Sequence, residues 1–136
     1  MLPLAHLAIA VSNLEDASEL YAALGFRIGP LEVVPHEQVR LQLAEKDDLR
    51  VELLEAFPPG QGPIAKFIDK RGAGLHHMAL WCDDLGLELA RLEKAGIKTL
   101  PGYPAPGAGS TRVAFLDPKT TGGVLIELSE KVVANS

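Results

Sequence analysis

Apolar residues alternate with small or polar ones over His6-Leu-Ala-Ile-Ala-Val11, the period of two that marks a strand with unlike faces. The period then lengthens. Leu14, Ala17, Leu20, Tyr21 and Leu24 recur every three or four positions, which predicts a helix with one apolar stripe. Ser12 with Glu15 suits a capping box at its start, and Gly25 supplies its stop. Strand-like runs return at Val39 to Ala44 and at Arg50 to Leu54. Pro63 to Lys70 reads as a short helix with Ile64, Phe67 and Ile68 on one face and Gly72 as its stop. The strand pattern resumes at His77-Met-Ala-Leu-Trp-Cys82. A helix follows, started by Asp83 or Asp84 and ended by Gly96, and then come strand-like runs at Arg112 to Leu116 and Gly123 to Leu128. Asp117-Pro118-Lys119 and Thr121-Gly122-Gly123 provide the turn before the last run.

The second half repeats the first. A shift of 71 positions lays His77 to Gly96 onto His6 to Gly25 without a gap, matching His6 with His77, Ala8 with Ala79, Asn13 with Asp84 and Gly25 with Gly96. Val51-Glu52-Leu53 answers Ile126-Glu127-Leu128 four residues late, an insertion that a hairpin loop absorbs at little cost. The expectation is an α+β chain of two tandem βαβββ modules, the first over about 4–56 and the second over about 74–130, with a linking helix at about 63–71. At 136 residues the whole fits the size of one domain.

Strand alternation then sorts the side chains. With Leu7, Ile9 and Val11 packed against helices, His6, Ala8 and Ala10 take the other face; Met78, Leu80 and Cys82 likewise leave His77, Ala79 and Trp81 opposite. Val51 and Leu53 in the core put Glu52 on the far side, and Val124, Ile126 and Leu128 do the same for Glu127. A lone histidine or glutamate in a strand is ordinarily a surface or satisfied polar residue. Two His/Glu pairs at matching places in two repeats are harder to assign to solvated faces. Two imidazoles and two carboxylates suit one divalent cation, Co, Mn, Ni, Zn or Mg, with positions left for water or substrate. Ala8 and Ala79 leave room for a ligand. His76 points to the opposite face from His77, His36 lies in a loop, and Glu55 is expected to be solvated.

Composition narrows the setting without changing it. The net charge is −5 and the basic residues are scattered, which disfavours nucleic acid and anionic membrane as partners. The single cysteine, Cys82, fits a reducing compartment, and no run approaches the ~18 apolar residues of a membrane-spanning helix. The apolar opening MLPLAHLAIAV has no basic residue ahead of it and reads as a strand, so a cytoplasmic location is expected.

The modules opening HLAIAV and HMALWC and closing VELLE and LIELSE resemble the vicinal oxygen chelate superfamily, in which paired βαβββ modules form a cupped mixed sheet around a metal. GPIAKFIDKRGAGLHHMAL and FLDPKTTGGVLIEL resemble, more narrowly, the methylmalonyl-CoA epimerases. The resemblance implies that His6, Glu52, His77 and Glu127 bind the metal and that the reaction moves the C2 proton of an acyl-CoA thioester through an enolate. Some members use a further glutamate on the third strand as a base. The matching position is read as Gln42, whose amide cannot take a proton, so Glu127 becomes the candidate catalytic residue. Gln42 and Arg112 are the candidate substrate contacts; Lys66, Lys70, Arg71 and Lys119 are further cations available to phosphates but form no cluster. A homodimer is expected. The rivals are a glyoxalase I type isomerase, which shares the ligand types, a small-molecule binding module on the same fold, which needs none of them, and an extradiol dioxygenase, ranked last.

Overall fold

A computed structural model describes residues 2–132. Contacts divide the chain into two units, one of His6–His76 and another running from His77 and including the first residues up to Ala5. The elements lying wholly or mostly in the first are β1 (Leu4–Ala10), α1 (Leu14–Ala23), β2 (Arg27–Ile28), β3 (Glu32–Val34), β4 (Val39–Lys46), β5 (Leu49–Ala56) and α2 (Gly62–Arg71). The second comprises β6 (Gly74–Trp81), α3 (Leu85–Lys94), β7 (Ala105–Gly107), β8 (Thr111–Phe115) and β9 (Ile126–Lys131). The class is α+β, as the two periodicities predict.

Both units use one plan. In the first, β4 pairs antiparallel with β5, and β5 lies parallel to β1 with Ala8 opposite Glu52. In the second, β8 pairs antiparallel with β9, and β9 lies parallel to β6 with Ala79 opposite Glu127. A parallel pair needs a crossover, and α1 and α3 begin the crossovers that return each chain to its histidine strand. The helix-side cores are also alike. Val11, Leu14, Ala44, Val51 and Leu53 are buried with Ile9, Ala17, Tyr21, Phe26 and Ile28 packed on them. Cys82, Leu85, Leu92, Ala114, Leu116 and Leu128 form the second cluster, with Leu80, Leu89, Ile97 and Ile126 around it.

Several local expectations need correction. The N-cap of α1 is Asn13, whose side chain accepts the Asp16 amide at 2.9 Å, rather than Ser12. Its counterpart Asp84 accepts the Leu87 amide at 3.0 Å, so the repeat extends to the caps. Leu20 and Leu24 are 56% and 53% exposed, so the apolar stripe of α1 is sealed only at Leu14, Ala17 and Tyr21. Val124 is 51% exposed and precedes β9, which starts at Ile126. The strand after α1 is broken into β2 and β3 across Gly29-Pro30-Leu31; Pro30 has no N–H to give the ladder. The four-residue slip also has a visible cause. Asp47 and Asp48 alone connect β4 to β5, whereas residues 116–125, including a 3₁₀ turn at Pro118–Thr120, connect β8 to β9. Gly25 and Gly96 end their helices at φ of 97° and 85°, a left-handed conformation that glycine adopts without penalty.

Candidate metal centre

In the first unit the register of β1 on β5 places His6, Ala8, Glu52 and Leu54 on the face away from α1. His6 Nε2 lies 3.3 Å from Glu52 Oε1. That is ion-pair distance, yet burial drives both groups toward their neutral forms. Loss of water, then the Arg50 charge, lowers His6 to about 4; loss of water, then the Glu32 charge, raises Glu52 to about 7. The contact therefore joins a neutral imidazole to a carboxyl that holds its proton up to neutral pH. A cation would reverse this preference and draw the proton off.

In the second unit β6 on β9 places His77, Ala79, Glu127 and Ser129 on the corresponding face. His77 Nε2 lies 3.8 Å from Glu127 Oε1, and the Ser129 hydroxyl donates to the same oxygen at 3.2 Å. Phe115, paired with Glu127 across the ladder, meets the His77 ring edge-to-face at 5.0 Å and continues to Tyr103 at 5.2 Å. His6, Glu52 and His77 each offer a nitrogen or carboxylate oxygen that can bind a metal ion. The donor chemistry fits a divalent cation of borderline or hard character: imidazole and carboxylate, with no thiolate in either set. Cys82 lies on the helix side of β6, and burial, followed by the Glu130 charge, pushes its thiol up to about 11.

The two candidate substrate contacts stand elsewhere. Gln42 pairs with Leu53 across β4 and β5, which puts it on the side covered by α1 and opposite to Glu52. Its carbonyl oxygen accepts the Ser18 hydroxyl at 2.6 Å and its amide donates to Gly29 O at 3.1 Å, satisfying a carbonyl beside the break between β2 and β3. The β4 residues on Glu52's side are Val39, Leu41, Leu43 and Glu45, the last ion-paired with Arg27 and Arg50. Arg112 pairs with Glu130 on the helix side of β8 and β9, again turned away from Glu127. Alternation fixes a face only once the register with the neighbouring strand is known.

Two carboxylates expected in solvent, or not singled out at all, are structural. Glu55 is partly buried, accepts the Leu14 amide at the start of α1 at 2.7 Å, and takes a hydrogen bond from Arg40 at 2.5 Å. Glu130, its counterpart, accepts the Leu85 amide at the start of α3 at 3.0 Å. Each is three residues after a candidate ligand, in Glu52-Leu-Leu-Glu55 and Glu127-Leu-Ser-Glu130, a spacing visible in the sequence. His76 rests edge-to-face on Phe67 at 4.9 Å, and burial, then Arg71, lowers it to about 4. His36 is exposed in a 3₁₀ turn.

The sequence pattern of the Glyoxalase/Bleomycin resistance protein/Dioxygenase superfamily matches residues 5–115. The chain belongs to this superfamily. An ethylmalonyl-CoA/methylmalonyl-CoA epimerase of Cereibacter sphaeroides is 37% identical over 129 residues, covering 92% of this chain and 95% of the relative. The uncharacterized protein YqjC of Bacillus subtilis is 33% identical over 126 residues, 92% and 89% of the two chains. A Streptomyces coelicolor methylmalonyl-CoA epimerase, solved with 2-nitronate-propionyl-CoA, superposes with a TM-score of 0.90 at 30% identity over 100% of this chain and 99% of that one. Among the described residues no helix is long and apolar enough to cross a membrane.

Proposed function

We propose that this superfamily member is a metal-dependent epimerase of methylmalonyl-CoA, and that His6, Glu52, His77 and Glu127 bind one divalent ion per chain. The observation that carries the proposal is the duplication of the pair. Each unit sets a buried histidine strand parallel to a glutamate strand in the same register, with imidazole nitrogen and carboxylate oxygen 3.3 Å apart in one and 3.8 Å in the other. The epimerases named above supply the reaction and the acyl-CoA class of substrate.

When bound, the ion supplies positive charge where a thioester carbonyl gains electron density as its neighbouring C–H bond breaks. The chain's own residues do the rest. His6, held neutral at physiological pH by burial, and His77 offer nitrogen lone pairs, and Ala8 and Ala79 beside them keep the ligand-side surface low. Proton transfer falls to a carboxylate oxygen of Glu127, because the acid that β4 turns toward Glu52's side, Glu45, is ion-paired with Arg27 and Arg50. Epimerisation removes the C2 proton from one face and returns one to the other.

Deuterium uptake at C2 of methylmalonyl-CoA, followed by NMR in D₂O, tests the reading. Exchange that stops on chelation and returns with Co²⁺ or Mn²⁺ is expected, with Glu127→Gln slower by at least about 10²-fold, the usual scale of a lost acid–base group. Absence of exchange with either metal would remove the epimerase assignment and leave a hemithioacetal isomerase or a binding module as the remaining readings.

A further inference from the structure

The two units match in their histidines, their glutamates and the helix-capping glutamates three residues further on, but they part company at the position between. Two residues after Glu52 stands Leu54, buried and apolar; two residues after Glu127 stands Ser129. Residues two apart in a strand share a face, so Ser129 lies beside Glu127 on the side of His77. It is only 2% exposed, and a hydroxyl at such a depth must find an acceptor. It donates to Glu127 Oε1 at 3.2 Å, the same oxygen that lies 3.8 Å from His77 Nε2.

We propose that Ser129 is a positioning residue for Glu127, holding Oε1 in the orientation in which Glu127 binds the metal ion. The inference rests on the metal-binding reading above. Its physical basis is the usual behaviour of a ligating carboxylate, which has several rotamers and gains affinity when an outer hydrogen bond selects one of them. In this unit the imidazole partner is already restrained by the edge of Phe115. The glutamate has more rotatable bonds, and the Ser129 hydrogen bond restrains one of its oxygens. Leu54, an apolar side chain, cannot do this for Glu52.

Calorimetric titration of Co²⁺ into the chelator-treated full chain, for wild type, Ser129→Ala, Glu127→Gln and the double variant, tests the proposal without reference to turnover. Thermal unfolding of the same metal-free samples reports whether they fold. Ser129→Ala should weaken Co²⁺ binding about 10- to 100-fold, the range found for lost outer-shell partners, while its metal-free unfolding temperature stays within a few degrees of wild type. Added to Glu127→Gln, it should change affinity no further, since its effect passes through that carboxylate. Ser129→Thr, which keeps the donor, should recover most of the affinity. Equal Co²⁺ binding by wild type and Ser129→Ala would overturn the positioning role while leaving the metal site standing. A further loss in the double variant as large as in the single would overturn it too. Failure of the wild type to bind Co²⁺ would overturn the metal reading and this inference with it.

Discussion

Glu52 loses the water that would stabilise its charge, and its acidity falls accordingly, to about 7. His6, 3.3 Å away, is pushed in the other sense, to about 4. The consequences for stability oppose one another. The folded state binds the Glu52 proton more tightly than the unfolded state does, so the metal-free fold has this contribution in full below the unfolded value of 4.5 and loses it as pH rises through 4.5 to 7. His6 gives up its proton on folding, so its contribution is lost as pH falls from 6.5 toward 4. Glu52→Gln, which cannot ionise, should therefore raise the unfolding temperature of chelator-treated protein at pH 8 and leave it nearly unchanged at pH 4, as thermal scans at the two pH values would show. Metal affinity should follow the same group. Co²⁺ binding to wild type should strengthen with pH up to about 7, releasing close to one proton below that pH and progressively fewer through it, and level off above; equal heats at pH 6 in buffers of different ionisation enthalpy would contradict it. The candidate ligands stood out in the sequence because His6 and Glu52 recur as His77 and Glu127 in the second copy. The faces of Gln42 and Arg112 were not legible because a residue's face depends on the partner strand; the pairings Gln42 with Leu53 and Arg112 with Glu130 put both on the faces away from Glu52 and Glu127.

At the scale of the element, the glutamates that end each module carry out a task distinct from that of the ligand candidates. Glu55 and Glu130 reach from β5 and β9 to the first turns of α1 and α3, accepting the amides of Leu14 and Leu85, while Asn13 and Asp84 cap the next exposed N–H groups. Leu14 and Leu85 are both fully buried, so each carboxylate fixes the point where a helix enters its core. Glu55→Ala or Glu130→Ala should each cost about 1–2 kcal/mol, the scale of a lost helix cap with a stranded amide, read as a drop of several degrees in unfolding temperature. Co²⁺ affinity should remain within about twofold of wild type. A large loss of affinity with unchanged unfolding would assign these residues to the metal centre instead. The sequence showed both helices and their glycine stops, since apolar spacing and Gly25 and Gly96 are local signals. It did not show the caps made by Glu55 and Glu130, whose partners are 41 and 45 residues away. The break between β2 and β3 was equally hidden, being a consequence of Pro30 meeting the β4 ladder.

Across the whole molecule, duplication is the feature that binds sequence to function. A single βαβββ module offers one imidazole and one carboxylate, too few donors to hold a divalent ion against water; two modules offer two of each. Two carboxylates with neutral imidazoles also match the charge of such an ion, which makes its uptake compatible with burial. The identity of 37% with an ethylmalonyl-CoA/methylmalonyl-CoA epimerase over nearly the full length of both chains is consistent with this division of labour. The stoichiometry of Co²⁺ bound to the metal-free full chain, measured by equilibrium dialysis with metal analysis, bears on the account most directly. One ion per chain is expected, falling to far below one at the same free Co²⁺ when either His6→Ala or His77→Ala is introduced. Two ions per chain, with each substitution removing only one, would show that the pairs act as separate sites and contradict the shared centre.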